Sequence, residues 1–126
     1  KINEAAARLG TVQDVLVEVN VSGEASKSGV APQEARMLVR ALAALPHLRV
    51  RGLMTMAPQG DPAAAEAAFR GLAVLAGEIR PSLGDAEAGA FTELSMGMSE
   101  DWPCAIACGA TMVRVGRAIF SDSFEE

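Results

Sequence analysis

The feature that most constrains this chain is its alternation between two kinds of apolar pattern. Val15-Leu16-Val17-Glu18-Val19-Asn20-Val21 is β-branched and almost continuously apolar, which predicts a buried parallel strand over 12–21. A small, polar, glycine-bearing loop over 22–31 follows. From Pro32 the period changes, and Ala35, Leu38, Val39, Leu42 and Leu45 recur at helical spacing until Pro46. Leu48 to Met56 predicts a second strand, closed by Pro58-Gln59-Gly60. Asp61 is a good N-cap with Pro62 behind it, and it opens a helix with Phe69, Leu72, Ala73, Ala76 and Ile79 on one face and a Glu66/Arg70 pair on the other. After a connector over 81–89, a third strand is expected over 91–96, then the turn Gly97-Met98-Ser99, a short helix over 100–108 and a fourth strand over 111–115. Residues 2–9 precede all this as a helix closed by Gly10. Strands alternating with helices and no hairpin signal define a parallel α/β sheet with right-handed crossovers. Such a series suits a small doubly wound sheet or half of an eight-stranded barrel, and periodicity alone does not choose.

A chain of 126 residues is one domain by size, with no internal boundary. Its 50% apolar content supplies a core and excludes overall disorder. Sixteen acidic against 11 basic residues give a net charge of −5 with no basic cluster, which argues against nucleic-acid and anionic-membrane partners. Trp102, Phe69, Phe91, Phe120 and Phe124 are too sparse for a base-stacking platform. No run is apolar enough to span a bilayer and no secretory signal opens the chain, so a soluble cytoplasmic protein is expected. Lys1 in first place suggests that the numbering starts inside a longer product or after processing. Cys104 and Cys108, four apart on one helix, read as small core hydrophobes rather than a disulfide. The single histidine, His47, is expected as an exposed turn residue at the end opposite the site; no metal site and no hydrolase triad are expected.

In either architecture, function sits at the C-terminal ends of the strands, here 20–29, 54–58, 96–101 and 114–117. Gly97-Met98-Ser99 and Arg114-Val115-Gly116-Arg117 each place a glycine and donors between a strand end and the N-terminus of a helix, an arrangement that accepts an anion, phosphate above all. The plainer reading makes Ser99 an N-cap and Gly116 a turn residue. Arg114 interrupts the apolar Met112-Val113-Arg114-Val115 and needs a partner: a ligand on the inner face, or an acid such as Glu93 on the helix-covered face. Lys27, in its loop, is read as solvated.

Four stretches together resemble the pyridoxal phosphate homeostasis proteins: Val17 to Val21 with Glu24-Ala25-Ser26-Lys27-Ser28-Gly29, Arg51-Gly52-Leu53-Met54, Leu94 to Asp101, and Thr111 to Phe120. These are single-domain, alanine racemase-like barrels that carry pyridoxal 5′-phosphate (PLP). The resemblance covers the family's second half and implies a (β/α)8 TIM-type PLP-binding barrel, of which this chain supplies about the last four βα units. It implies that Ser99 and the Gly116-Arg117 turn, with Met98 beside them, hold the phosphate, that Arg114 faces the pyridine nitrogen, that Asn20 and Met54 line the ring, and that Lys27 sits in a loop over the mouth. The family's Schiff-base lysine lies on its first strand, which has no counterpart here, so no catalytic residue is expected in this chain. Arg117 stands where the family commonly has a small hydroxyl residue, and Phe120-Ser121 replaces its phenylalanine-glycine ending.

The implied function is intracellular PLP homeostasis, as a non-catalytic carrier and buffer that passes the cofactor to PLP-dependent apoenzymes. The alternatives are an amino acid racemase of the same barrel class, against which the absence of tyrosine argues, and a cofactor-free structural half-barrel. The half-barrel would need an N-terminal half or a second copy to close it. Met54 and Met96 are both expected on the face so closed.

Overall fold

The structure, a computed structural model, describes residues 2–21, 29–58, 60–98 and 101–114. Helix α1 (Ile2–Leu9) leads into β1 (Gln13–Glu18), and α2 (Pro32–Ala43) into β2 (Leu48–Met54). Helix α3 (Pro62–Ile79), a 3-10 turn (Arg80–Ser82) and α4 (Asp85–Ala90) then lead to β3 (Glu93–Ser95) and α5 (Trp102–Ala107). The three strands are parallel in the order β1-β2-β3.

The helices form where their apolar faces meet the sheet. Ala35 and Val39 of α2 and Phe69, Leu72, Ala76 and Ile79 of α3 are buried against Val17, Val19, Val50 and Leu53 from the strands. Asp61 caps α3 by accepting the Ala64 N–H at 3.0 Å, and the outer Arg70–Glu66 pair closes at 2.9 Å. Gly10, with φ of 70°, ends α1 in the left-handed region where a Cβ is disfavoured.

Several expected elements differ. The 81–89 connector contains the 3-10 turn and α4, whose first turn is closed by the Ala88 N–H on the Gly84 carbonyl at 2.8 Å; Gly84 and Gly89 flank and enter a helix rather than a loop. Phe91 belongs to the end of α4, its N–H bonded to Glu87 and Ala88, so β3 is shorter than 91–96. Of the expected fourth strand, the described residues 111–114 form one parallel bridge, Ser95 to Met112. There the Leu94 N–H goes to the Thr111 hydroxyl at 2.8 Å, so a side chain takes one of the donors a regular ladder uses.

β1 and β2 carry a register shift: Val15 pairs with Val50 but Leu16 pairs with Gly52, leaving Arg51 outside the pairing. This bulge reverses the alternation of β2, so that Val50, Leu53 and Thr55 all turn toward the helices. Met54 consequently lies half-buried on the opposite, open face, as expected. Met96 does not: it is 2% exposed in the helix-covered core. In β3 the open-face positions are Glu93 and Ser95, so Leu94 and Met96 take the other parity.

Candidate functional site

The open face is organised in rows across the strands. One row runs Glu18 to Met54 to Ser95 to Met112 through successive register pairs. Glu18, Met54 and Ser95 are half-buried, and Met112 is 40% exposed. Two residues further along, Asn20 and Arg114 share the parity of Glu18 and Met112, which puts them at the C-terminal end of the same face. Asn20 is half-buried, its N–H on the Val30 carbonyl at 2.8 Å, with Val30 in turn donating to Glu18 at 3.0 Å. Arg114 is exposed, and its N–H donates to the Gly97 carbonyl at 2.8 Å.

Arg114 thus stands on the face away from the helices. The Glu93 pairing considered for it is made by another residue: Arg51 Nη2 lies 3.7 Å from Glu93 Oε2. Arg51 also reaches Asp14 at 3.5 Å, and Arg49 meets Asp14 at 2.8 Å. Asp14, Arg51 and Glu93 lie toward the N-terminal half of the open face, in a groove of about 600 Å³ that Leu16 and Met112 also line. The Glu93 carboxyl is held below its usual range, first by the Thr92 hydroxyl at 2.9 Å, then by Thr111 and, with burial acting the other way, by Arg51.

Met98 is half-buried and donates its N–H to Asp101 Oδ1 at 2.6 Å, while the Met98 carbonyl accepts from Asp101 and Trp102. Asp101 therefore shapes the turn that precedes α5. The turn's entry is set by Gly97, where a Cβ would lie 2.6 Å from the Cβ of Ala105. Ser99, Gly116, Arg117 and Lys27 lie outside the described residues.

Away from this face, Cys104 and Cys108 are free thiols half-buried against the core. Burial, then the neighbouring Cys108, pushes the Cys104 thiol above its ordinary range. His47 is half-buried rather than exposed: its N–H donates to Asn3 Oδ1 at 2.9 Å and its Nδ1 lies 3.1 Å from the Thr11 carbonyl, so the residue fastens α1 to the start of β2. Sequence reading misses Glu18 and Ser95 as open-face residues. The signal for Glu18 is its two-residue spacing from Asn20 on one strand, whereas the alignment of Glu18 and Ser95 with Met54 is legible only once the bulge in β2 is known.

A parallel sheet covered by helices on one side, with Asn20 and Arg114 at its C-terminal strand ends, is an α/β arrangement that suits part of a barrel. The chain belongs to the alanine racemase N-terminal domain family, whose model matches residues 1–123. Within that class it is similar to the pyridoxal phosphate homeostasis protein of Pasteurella multocida, 42% identical over 121 residues that cover 95% of this chain and 51% of the relative. The chain spans about half the length of the curated relatives it matches. Among solved structures, an unknown protein from Bifidobacterium adolescentis superposes with a TM-score of 0.87 at 39% identity, over 94% of this chain and 47% of that one. PipY of Synechococcus elongatus, solved with PLP bound, gives 0.75 at 34% identity over 90% and 51%.

Proposed function

We propose that this chain supplies about the last four βα units of a single (β/α)8 barrel domain that binds PLP and serves cytoplasmic PLP homeostasis, holding the cofactor and releasing it to PLP-dependent apoenzymes. What supports this reading is that Asn20, Met54 and Arg114 fall at the C-terminal strand ends with the parity of the open face, in a chain related to a protein solved with PLP bound. The remaining barrel strands come from further residues of the same polypeptide or from a second copy.

The residues present fit the group. PLP has a flat ring, a ring nitrogen that accepts a hydrogen bond and a doubly charged phosphate. Met54 offers a half-buried apolar flank for the ring, and Arg114 an exposed guanidinium with donors only. Ser99 and the Gly116-Arg117 turn take the phosphate with Met98 beside them, Asn20 borders the ring, and Lys27 lies in the loop over the mouth. When bound, PLP supplies an electrophilic aldehyde on an electron-withdrawing ring. The Arg114 guanidinium has only donors to offer, so facing the ring nitrogen it would donate to it and keep a proton off it. That weakens the ring as an electron sink and favours storage over turnover. The covalent anchor is a lysine outside this chain. No helix among the described residues is long and apolar enough to cross a membrane.

The test uses the full-length protein. Stoichiometric PLP, seen in the visible absorbance of the purified protein, with no racemisation of free amino acids and with transfer to an added apoenzyme, is the expected result. Racemisation at enzymatic rates would replace this reading with a catalytic one, and failure to take up PLP would leave a cofactor-free barrel.

A further inference from the structure

Thr55 immediately follows β2 and is 3% exposed, the buried polar side chain of the described core. Its Oγ1 donates to the Val19 carbonyl at 2.7 Å, and its N–H donates to the Ser95 carbonyl at 3.1 Å. The Val19 N–H in turn donates to Met54 at 2.8 Å. One residue therefore ties together the C-terminal ends of all three strands, using its backbone toward β3 and its side chain toward β1. After the bulge, the alternation of β2 turns Thr55 to the helices, so its hydroxyl does not reach the open face. The residues it holds do: Asn20 follows Val19, Met54 precedes Thr55, and Ser95 is itself on that face.

We propose that Thr55 is a positioning residue of the cofactor site, its hydroxyl fixing the end of β1 against β2 so that Asn20, Met54 and Ser95 meet the ligand at a set spacing. This rests on the PLP-binding reading above. A threonine hydroxyl suits the task because it fits a β position and satisfies a buried carbonyl that a methyl group would leave without its bond. Thr111 provides an internal comparison. Its hydroxyl also bridges strands, accepting the Leu94 N–H at 2.8 Å, but near the N-terminal end of β3, away from Asn20 and Arg114.

The experiment compares wild type, Thr55→Val, Thr55→Ser and Thr111→Val in the full-length protein, reading PLP affinity and the visible absorbance maximum at a temperature where circular dichroism shows each to be folded. Thr55→Val is expected to weaken PLP binding about five- to tenfold and to move the maximum, since loss of a buried hydrogen bond disturbs its carbonyl partner. Thr55→Ser is expected to restore both, and Thr111→Val to lower Tm while leaving both unchanged. Should Thr55→Val not fold, Thr55→Cys, a weak donor of similar size, carries the same comparison. A wild-type band with Thr55→Val indistinguishable from it overturns the proposal alone, as does Thr111→Val perturbing the band equally. Absence of a PLP band in every protein overturns the functional reading and this proposal with it.

Discussion

A Cβ built on Gly52 would lie 1.7 Å from the carbonyl oxygen of Glu93, well inside van der Waals contact, so the missing side chain of Gly52 is what lets β2 and β3 approach. The same glycine sits at the bulge that leaves Arg51 outside the β1 pairing and sets the facing of every later β2 residue. Leu53 and Thr55 enter the core because of it, and Met54 reaches the open face.

Replacing Gly52 with alanine must therefore push apart a pair of bonded strands rather than displace a flexible side chain. A loss of about 3 kcal/mol or more is expected in denaturant unfolding of the full-length protein, at the upper end of what overpacking costs. PLP uptake should fall as well, through Met54. A stability within 1 kcal/mol of wild type, roughly the lower end of overpacking penalties, would show that the strands are not held this close.

The parts of the fold legible in the sequence are those where one residue type repeats at one period. The β1 run and the apolar faces of α2 and α3 are of this kind, because each buries a single face against its neighbours. Helix α4 is hidden by Pro81, Gly84 and Gly89, which read as breakers although backbone bonds close the turn around them. Met96 falls on the face opposite to the expected one because it shares a residue type, but not a parity, with Met54. Asn20, Met54 and Arg114 can be named as strand-end residues from order along the chain alone. Glu18 shares the parity of Asn20 on one strand, but its alignment with Met54 and Ser95 depends on a one-residue bulge in β2, and the pair Arg51-Gly52 gives no periodic signal of it.

Arg114 is the cation at the C-terminal end of the open face among the described residues, and its guanidinium cannot act as an acceptor. Arg114→Gln keeps a donor but removes the fixed charge. In the full-length protein this change is expected to shift the absorbance of bound PLP while binding persists. An unchanged spectrum would remove Arg114 from contact with the ring nitrogen.

Glu93 gives the open face a pH dependence whose sign follows from its depressed pKa. A carboxyl held below its usual value of 4.5 binds protons less readily folded than unfolded. Its contribution is therefore fully present above that value and is lost as pH falls through the lower, folded one. Thermal melts of wild type and Glu93→Gln should differ near neutrality, with wild type the more stable, and should converge in acid below the ordinary glutamate range. A gap that stays constant down to the acid limit would show that the Thr92, Thr111 and Arg51 contacts do not favour the charged form.

The open face also bears on how residues 1–126 behave by themselves. Met112 is 40% exposed there, Met54 and Leu16 are only half-covered, and Ile2, Leu9 and Val12 near the β1 side are 56%, 77% and 50% exposed. β1 has β2 on one side and, beyond its named range, a single bridge from Val19 to Val30. On the other side of the sheet, β3 is continued among the described residues by the bridge from Ser95 to Met112. Such edges recruit strands, and a closed barrel removes them. An apolar face of this kind left in water favours association over a lone monomer. We predict that a polypeptide limited to residues 1–126 does not give a stable monomer and either associates or melts without cooperativity. Sedimentation combined with thermal melting decides the matter: a sharp, cooperative transition from a species of 13.1 kDa would show that the open face needs no partner.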